Sequence, residues 1–346
     1  MANMQHRIAH GGRLIEARRL FPHAPAPFID LSTGINPRPY PFGPLPPESF
    51  ARLPEPEALA ALQDAAAAAY GACDPDMVVA APGTQILISL LPHLLGLGRA
   101  TILGPTYAEH AAAWSAAGAA VATEHEPAAF VRAAAAFPRS AAIVCNPNNP
   151  DGRRCDPEFL LELAATLAAT GGYLICDEAF ADLESPDPGL ARHLPRPGLL
   201  ILRSFGKSYG LAGLRLGFLL AAPDLARRIR RALGPWAVAG PALAIGRVAL
   251  ADPAWRAAAS LRLRDDGERL DALAIRAGFT CVGGTRLFRL YRGSHAASVY
   301  ALLGEAGILV RRFDEDADLL RFGLPGSEQD WERLQTVLTA GVHASS

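Results

Sequence analysis

The sequence predicts an α/β fold: a large domain with a mostly parallel sheet between helices, and a smaller α+β domain. Three observations carry this. Between about residues 55 and 221, short apolar runs alternate with helix-length segments, the pattern of strands covered on both faces. A chain of 346 residues exceeds one small core. Beyond about residue 223 the alternation stops, and long helices and short strands follow. The expected organisation is an N-terminal arm over 1–45 that packs with the small domain, a large domain over 46–222 and a small domain over 223–346.

The arm carries Pro22, Pro25, Pro27, Pro37, Pro39, Pro41 and Pro44, so it reads as irregular apart from a short helix over 14–20. A helix over 56–70 opens on Pro56 and ends at Gly71. Apolar runs over 77–81, 100–103, 120–123, 141–145, 173–176, 199–202 and 217–221 read as strands. Helices are expected over 84–97, 107–117 (closed by Gly118), 127–136 and 157–169. In the small domain, helices are expected over 223–233, 253–277, 296–306 and 328–340, with strands over 286–291, 308–311 and 319–323.

Composition excludes several classes. Hydrophobic residues make up 50% and charged residues 19%, which fits a packed globular protein. Net charge is −1 with no basic block, which argues against nucleic acid and anionic membranes as partners. No run approaches the roughly 20 apolar residues of a membrane span. Residues 1–13 have no apolar segment of the secretory kind. Five cysteines, an odd number with no Cys-x-x-Cys pair, give no disulfide framework and no zinc site, so the expected compartment is the cytoplasm. Cys145 and Cys176 read as small core residues. The four tryptophans, Trp236 and Trp255 among them, read as packing residues, and Arg227, Arg228, Arg230 and Arg231 as a solvated helix face.

In parallel sheets, ligands bind at the carboxyl ends of the strands. Five stretches stand there. Gly83-Thr84-Gln85 opens a helix, where exposed N–H groups and the helix dipole favour phosphate. Tyr107 offers an aromatic face. Asn146-Pro147-Asn148-Asn149-Pro150-Asp151-Gly152 is a rigid turn rich in amide donors. Asp177 is a carboxylate beside a buried run, which needs a partner to stay ionised. Ser204-Phe205-Gly206-Lys207 places a lone lysine among small residues, the setting of amines that form Schiff bases. Each alone also reads as a turn, a packing residue or a surface loop.

Together, Asn-Pro-Asn-Asn-Pro-Asp-Gly, Asp-Glu-Ala-Phe and Ser-Phe-Gly-Lys followed by Gly-Leu-Arg-Leu-Gly resemble the aspartate-aminotransferase fold of pyridoxal phosphate (PLP) enzymes, classes I and II. The resemblance spans nearly the whole chain. It implies that Lys207 carries PLP covalently and that Asp177 pairs with the pyridinium nitrogen. It further implies that Asn149 bonds the ring oxygen, that Tyr107 stacks on the ring, and that Thr84, Gln85, Ser204 and Arg215 hold the cofactor phosphate. Tyr70 matches a tyrosine that reaches the neighbouring subunit's phosphate, which implies a homodimer with shared sites. Arg321, in Leu-Arg-Phe-Gly, matches the arginine that grips the substrate carboxylate. No metal is implied.

Within that fold, the chain resembles both histidinol-phosphate aminotransferases and the threonine-phosphate decarboxylases of cobalamin synthesis, which act on small phosphorylated amino compounds. Arg311 matches a substrate-phosphate contact. His10-Gly11-Gly12, Ile29-Asp30-Leu31-Ser32 and Gly34-Ile35-Asn36-Pro37 favour the decarboxylases and imply substrate contacts for His10 and Asn36. Phe180 stands where the aminotransferases commonly have tyrosine. The alternatives are an aminotransferase of the histidinol-phosphate type and, from another class, a non-catalytic binding protein of the same fold.

Overall fold

The computed structural model describes residues 10–184 and 189–343. The reading of residues 1–9 lies outside the described residues. In chain order the strands are β1 (Ile29–Leu31), β2 (Val78–Ala81), β3 (Arg99–Leu103), β4 (Ala120–Glu124), β5 (Ala141–Cys145), β6 (Tyr173–Asp177), β7 (Leu199–Ser204), β8 (Gly217–Leu220), β9 (Thr280–Thr285), β10 (Phe288–Arg292), β11 (Ile308–Arg312) and β12 (Leu319–Gly323). The chain forms two compact units. One holds residues 39–149 and 153–260, and the other holds 1–38, 150–152 and 261–346.

The larger unit is built on a seven-stranded sheet of order β2-β8-β7-β6-β5-β3-β4. Within it β8 runs antiparallel to both its neighbours, and the remaining pairs are parallel. Alternation of side chains splits the inner strands between two apolar layers. Val78, Ala142, Val144, Leu174 and Cys176 face one layer, and Val79, Ala141, Ile143 and Ile175 face the other. Burial on both faces is why these strands read as unbroken apolar runs. The helices show the expected punctuation. Pro56 opens the helix Pro56–Tyr70, and Gly71 closes it in the left-handed conformation at φ 76°. The Asp156 carboxylate accepts from the N–H groups of Glu158 and Phe159 at the start of Pro157–Ala168.

The smaller unit carries a five-stranded sheet of order β1-β11-β12-β10-β9. The arm does not stay irregular: Ile29–Leu31 pairs in parallel with β11, Asp30 opposite Leu309. Three residues in a proline-rich stretch give no period to read, and the open edge of β11 supplies the partner. Helix Gly240–Leu250 was likewise hidden by its Gly-Pro start, a turn-like dipeptide that here places proline in the first helical turn. In β9, Gly283 and Gly284 mask the strand. A Cβ at Gly283 would stand 2.2 Å from the Asp151 carbonyl oxygen, so a side chain there is excluded by close backbone approach.

Candidate active site

Four neighbouring strands of the larger unit, β3, β5, β6 and β7, end beside one another and deliver the expected residues in order. Asp177 is the last residue of β6 and is buried. Its Oδ2 lies 2.9 Å from Nε2 of His110, itself 1% exposed, and its Oδ1 accepts from the Ala179 N–H at 3.1 Å. Burial alone would raise the Asp177 carboxyl. The His110 hydrogen bond, the positive charges of His110 and Lys207 and the Ala179 N–H outweigh it and hold the carboxyl below its ordinary range. Burial likewise pushes His110 down, but Cys145 and Asp177 raise it to about 10, so an imidazolium–carboxylate pair sits at the floor of the site. The metal-capable atoms of His110, Cys145 and Asp177 lie within 4.8 Å of one another, and the His–Asp pair is a sufficient reason for that closeness.

Lys207 is half-buried on the short helix Phe205–Ser208 that follows β7. Its Nζ lies 4.8 Å from the centre of the Phe180 ring, and its charge acts on Asp177. Arg203 of β7 is buried and pairs with Glu178 at 2.7 Å and Asp182 at 2.9 Å. This triad ties the ends of β6 and β7 together, four residues before the lysine. Sequence reading missed both His110 and Arg203. His110 stands three residues after Tyr107, one helical turn on, which was the available signal. Arg203 lay inside an apolar run with nothing to mark it.

Tyr107 is half-buried, edge-on to His110 at 6.1 Å, and its hydroxyl donates to Gln85 Oε1 at 3.1 Å. Burial, Glu109 and Asp177 push the phenol up to about 12, so it remains a neutral donor. The Gln85 amide also donates to Glu109 at 3.2 Å, so its side chain orders Tyr107 and Glu109. In the asparagine turn, Asn148 accepts from Thr106 at 2.6 Å and donates to the Pro105 carbonyl at 2.9 Å, while Asn146 accepts from the Cys155 N–H at 3.0 Å. These two amides fix the turn, and half-buried Asn149 sits between them and Pro150.

An anion cradle opens at the start of helix Thr84–Leu95. Arg215 takes the left-handed conformation, φ 53°, which a non-glycine residue adopts at a cost. Its guanidinium lies against Gly83: a Cβ built there would stand 2.6 Å from Nη2. A Cβ at Gly217 would stand 2.6 Å from the Thr84 nitrogen. Thr84 and Ser204 are half-buried around this helix end, whose first N–H groups have no intrahelical partner. A floor carboxylate held ionised, a flat phenol ring, a lysine and a side-chain-free cradle for an anion fit PLP.

Tyr70 is elsewhere. It is 1% exposed, its ring stands 5.0 Å from the Arg203 guanidinium and 5.5 Å from Phe218, and its hydroxyl has no hydrogen-bond partner among the described residues. Trp255 packs as expected, stacked on Tyr209 at 5.3 Å, whereas Trp236 is 58% exposed.

In the smaller unit, Arg321 of β12 stands opposite Arg311 of β11. Arg321 is 7% exposed and donates to the Ser32 carbonyl at 2.8 Å. Burial and the neighbouring Arg311 charge lower Arg321 to about 10, which leaves it charged at neutral pH and favours an anion beside it. Asn36 is buried, and its Oδ1 accepts from Arg262 Nη2 and the Arg38 N–H, both at 3.1 Å. His10 is exposed near the start of the described chain.

A family model for aminotransferase class I and II matches residues 46–338. Threonine-phosphate decarboxylases of Pseudomonas aeruginosa and of a Sinorhizobium species are each 40% identical to this chain, over 96% of it and 97% of their own length. Among solved structures, the fold is shared with histidinol-phosphate aminotransferase from Sinorhizobium meliloti in complex with pyridoxal-5'-phosphate. That pair has a TM-score of 0.81 at 18% identity, covering 99% of this chain and 100% of the other. With the lysine, the floor carboxylate and the anion cradle at the ends of one parallel sheet, this chain belongs to the class I and II aminotransferase family of PLP-dependent proteins.

Proposed function

We propose that the chain is a threonine-phosphate decarboxylase. It would convert L-threonine 3-O-phosphate to (R)-1-aminopropan-2-yl phosphate, the aminopropanol unit of cobalamin synthesis. The observation that carries this is full-length similarity, at 40% identity, to two proteins of that activity. The paired arginines of β11 and β12 agree with a substrate bearing two anionic groups.

Bound through Lys207, PLP supplies an electron sink for charge left at the substrate Cα. Asp177 keeps the pyridine nitrogen protonated, and His110 keeps Asp177 ionised. Tyr107 would cover the ring, Asn149 would bond its oxygen, and Thr84, Gln85, Ser204 and Arg215 would hold the phosphate. In the substrate, Arg321 takes the carboxylate by a two-pronged hydrogen bond and Arg311 takes the phosphate with His10, while Asn36 is a further substrate contact. The bond that breaks is Cα–carboxylate. Its electron pair stays at Cα, CO2 leaves, and Lys207 delivers the proton that replaces it.

We also read the protein as a cytoplasmic homodimer. All five cysteines are free thiols, as a reducing compartment maintains them, and no helix among the described residues is long and apolar enough to cross a membrane. Large apolar side chains stay exposed on the larger unit, Phe50 and Trp236 among them.

The test is direct. Purified protein with PLP and threonine phosphate, without 2-oxoglutarate, releases one CO2 per substrate consumed. Lys207→Ala loses the cofactor's visible absorbance and at least about 10²- to 10⁴-fold in rate, the range of a positioned proton-transfer group. No CO2 release, with amino transfer once 2-oxoglutarate is added, would make the protein an aminotransferase. Neither reaction, with no change on Lys207→Ala, would make it a binding protein.

A further inference from the structure

Two groups of the smaller unit, Arg321 and Gly11, meet at one carbonyl. The Ser32 carbonyl oxygen accepts from Arg321 Nη2 at 2.8 Å. A Cβ built on Gly11 would stand 2.4 Å from the same oxygen, so the arm crosses it with no room for a side chain. The Ser32 hydroxyl is used in both directions, donating to Asp30 Oδ1 at 2.6 Å and accepting from the Gly12 N–H at 2.8 Å. Asp30 Oδ1 also accepts from the Ser32 N–H at 2.9 Å, and Gly12 holds φ 83° to make the turn. Ser32 is 2% exposed, so water does not compete for these bonds.

The hydroxyl engaged on both sides fixes the Ser32 side chain, while Asp30 holds the Ser32 N–H and Gly11 packs against its carbonyl, so the backbone that Arg321 meets is held on each side. One Nη2 held by a fixed carbonyl sets the plane of the guanidinium fork. A carboxylate recognised by two parallel N–H groups depends on that plane. Strand β1 anchors the arrangement, since Asp30 lies in register with Leu309, two residues before Arg311.

We propose that the Gly11–Gly12 turn, Asp30 and Ser32 form a clasp that orients Arg321, making Ser32 a positioning residue and a specificity determinant for substrates that carry a carboxylate. The inference rests on the reading of Arg321 as the carboxylate-binding group.

The test uses full-length holoenzyme with two ligands, the first read as the KM of initial-rate CO2 release and the second by equilibrium binding followed in the cofactor spectrum. One is threonine phosphate. The other is 1-aminopropan-2-yl phosphate, which lacks the carboxylate. Ser32→Ala and Gly11→Ala each weaken threonine phosphate by about 10-fold, the size of one or two lost hydrogen bonds. Both leave the carboxylate-free ligand within about 2-fold. Ser32→Thr, which keeps the hydroxyl, restores the discrimination. Melting temperatures are recorded in parallel, and Gly11→Ala, outside the core, supplies a folded variant if Ser32→Ala does not. Equal weakening of both ligands, or no weakening of either, overturns the clasp. Arg321→Ala separates the two levels: if it leaves threonine phosphate binding unchanged, the reading of Arg321 falls and the clasp with it. A large effect of Arg321→Ala beside none from Ser32→Ala and Gly11→Ala overturns the clasp alone.

Discussion

Asp177 and His110 show what one residue can and cannot announce. A carboxylate at the end of a buried strand demands a counter-charge, and that much was legible in the sequence. Its partner within the protein was not, because His110 lies 67 residues away on the helix that follows β3 and meets Asp177 only when β3 and β6 come to opposite sides of β5. The pair has a pH signature. His110 rises from its ordinary value of 6.5 to about 10 on folding. A raised folded value contributes stability that is complete below 6.5 and is lost as pH rises through about 10. Asp177 is lowered, so its share is present above the ordinary carboxyl range and is lost in acid. Cofactor-free protein is therefore expected to lose stability steadily between pH 6.5 and 10. His110→Gln keeps a donor that does not titrate, and flattens that slope. Urea unfolding across the window measures it, and an unchanged slope in the variant would remove His110 as its source.

At the scale of elements, the sheet was legible because its inner strands are buried on both faces and so leave unbroken apolar runs. The failures share one cause. Ile29–Leu31, Gly240–Leu250 and Thr280–Thr285 carry proline or glycine signals in or beside them, and tertiary contacts override those signals. The phosphate cradle was legible only in part. Gly-Thr before a helix suggests an anion, yet the contribution of Gly217 lies on another strand, where its missing side chain gives Thr84 room. Gly217→Ala puts a Cβ 2.6 Å from the Thr84 nitrogen and 3.0 Å from its Cγ2. Overpacking of that kind costs about 1–3 kcal/mol. If the strain falls on the helix end, PLP affinity drops by about 5- to 150-fold at 1.4 kcal/mol per decade. The substrate arginines of the other unit are untouched by this change. Titration of the apoprotein with PLP reads the loss, and an unchanged affinity would place the cofactor phosphate elsewhere.

At the scale of the whole molecule, the resemblance implied a dimer through Tyr70, and the exposed rings of the larger unit give a second argument for one. Tyr70 is a core ring, whereas Phe42, Phe50, Leu53, Trp236 and Val248 are each between 49% and 71% exposed. Phe50, Trp236 and Val248 belong to neighbouring parts of the larger unit: helix Gly240–Leu250 begins against helix Glu48–Ala51, where a Cβ at Gly240 would stand 2.3 Å from the Ser49 carbonyl oxygen. Trp236 takes φ 56°, a conformation bulky residues rarely adopt, and spends it on holding an indole in solvent. A second copy would cover these rings. Burying a large apolar side chain contributes about 1.5–3 kcal/mol, so Phe50→Glu with Trp236→Glu weakens association by about 10²- to 10⁴-fold. Sedimentation velocity at micromolar concentration then shows the 36.5 kDa monomer in place of a dimer of twice that mass. Circular dichroism unchanged from the parent assigns the change to the interface and not to unfolding. A parent protein already monomeric at that concentration, or a double variant that stays dimeric, would show that these rings are not where two copies meet.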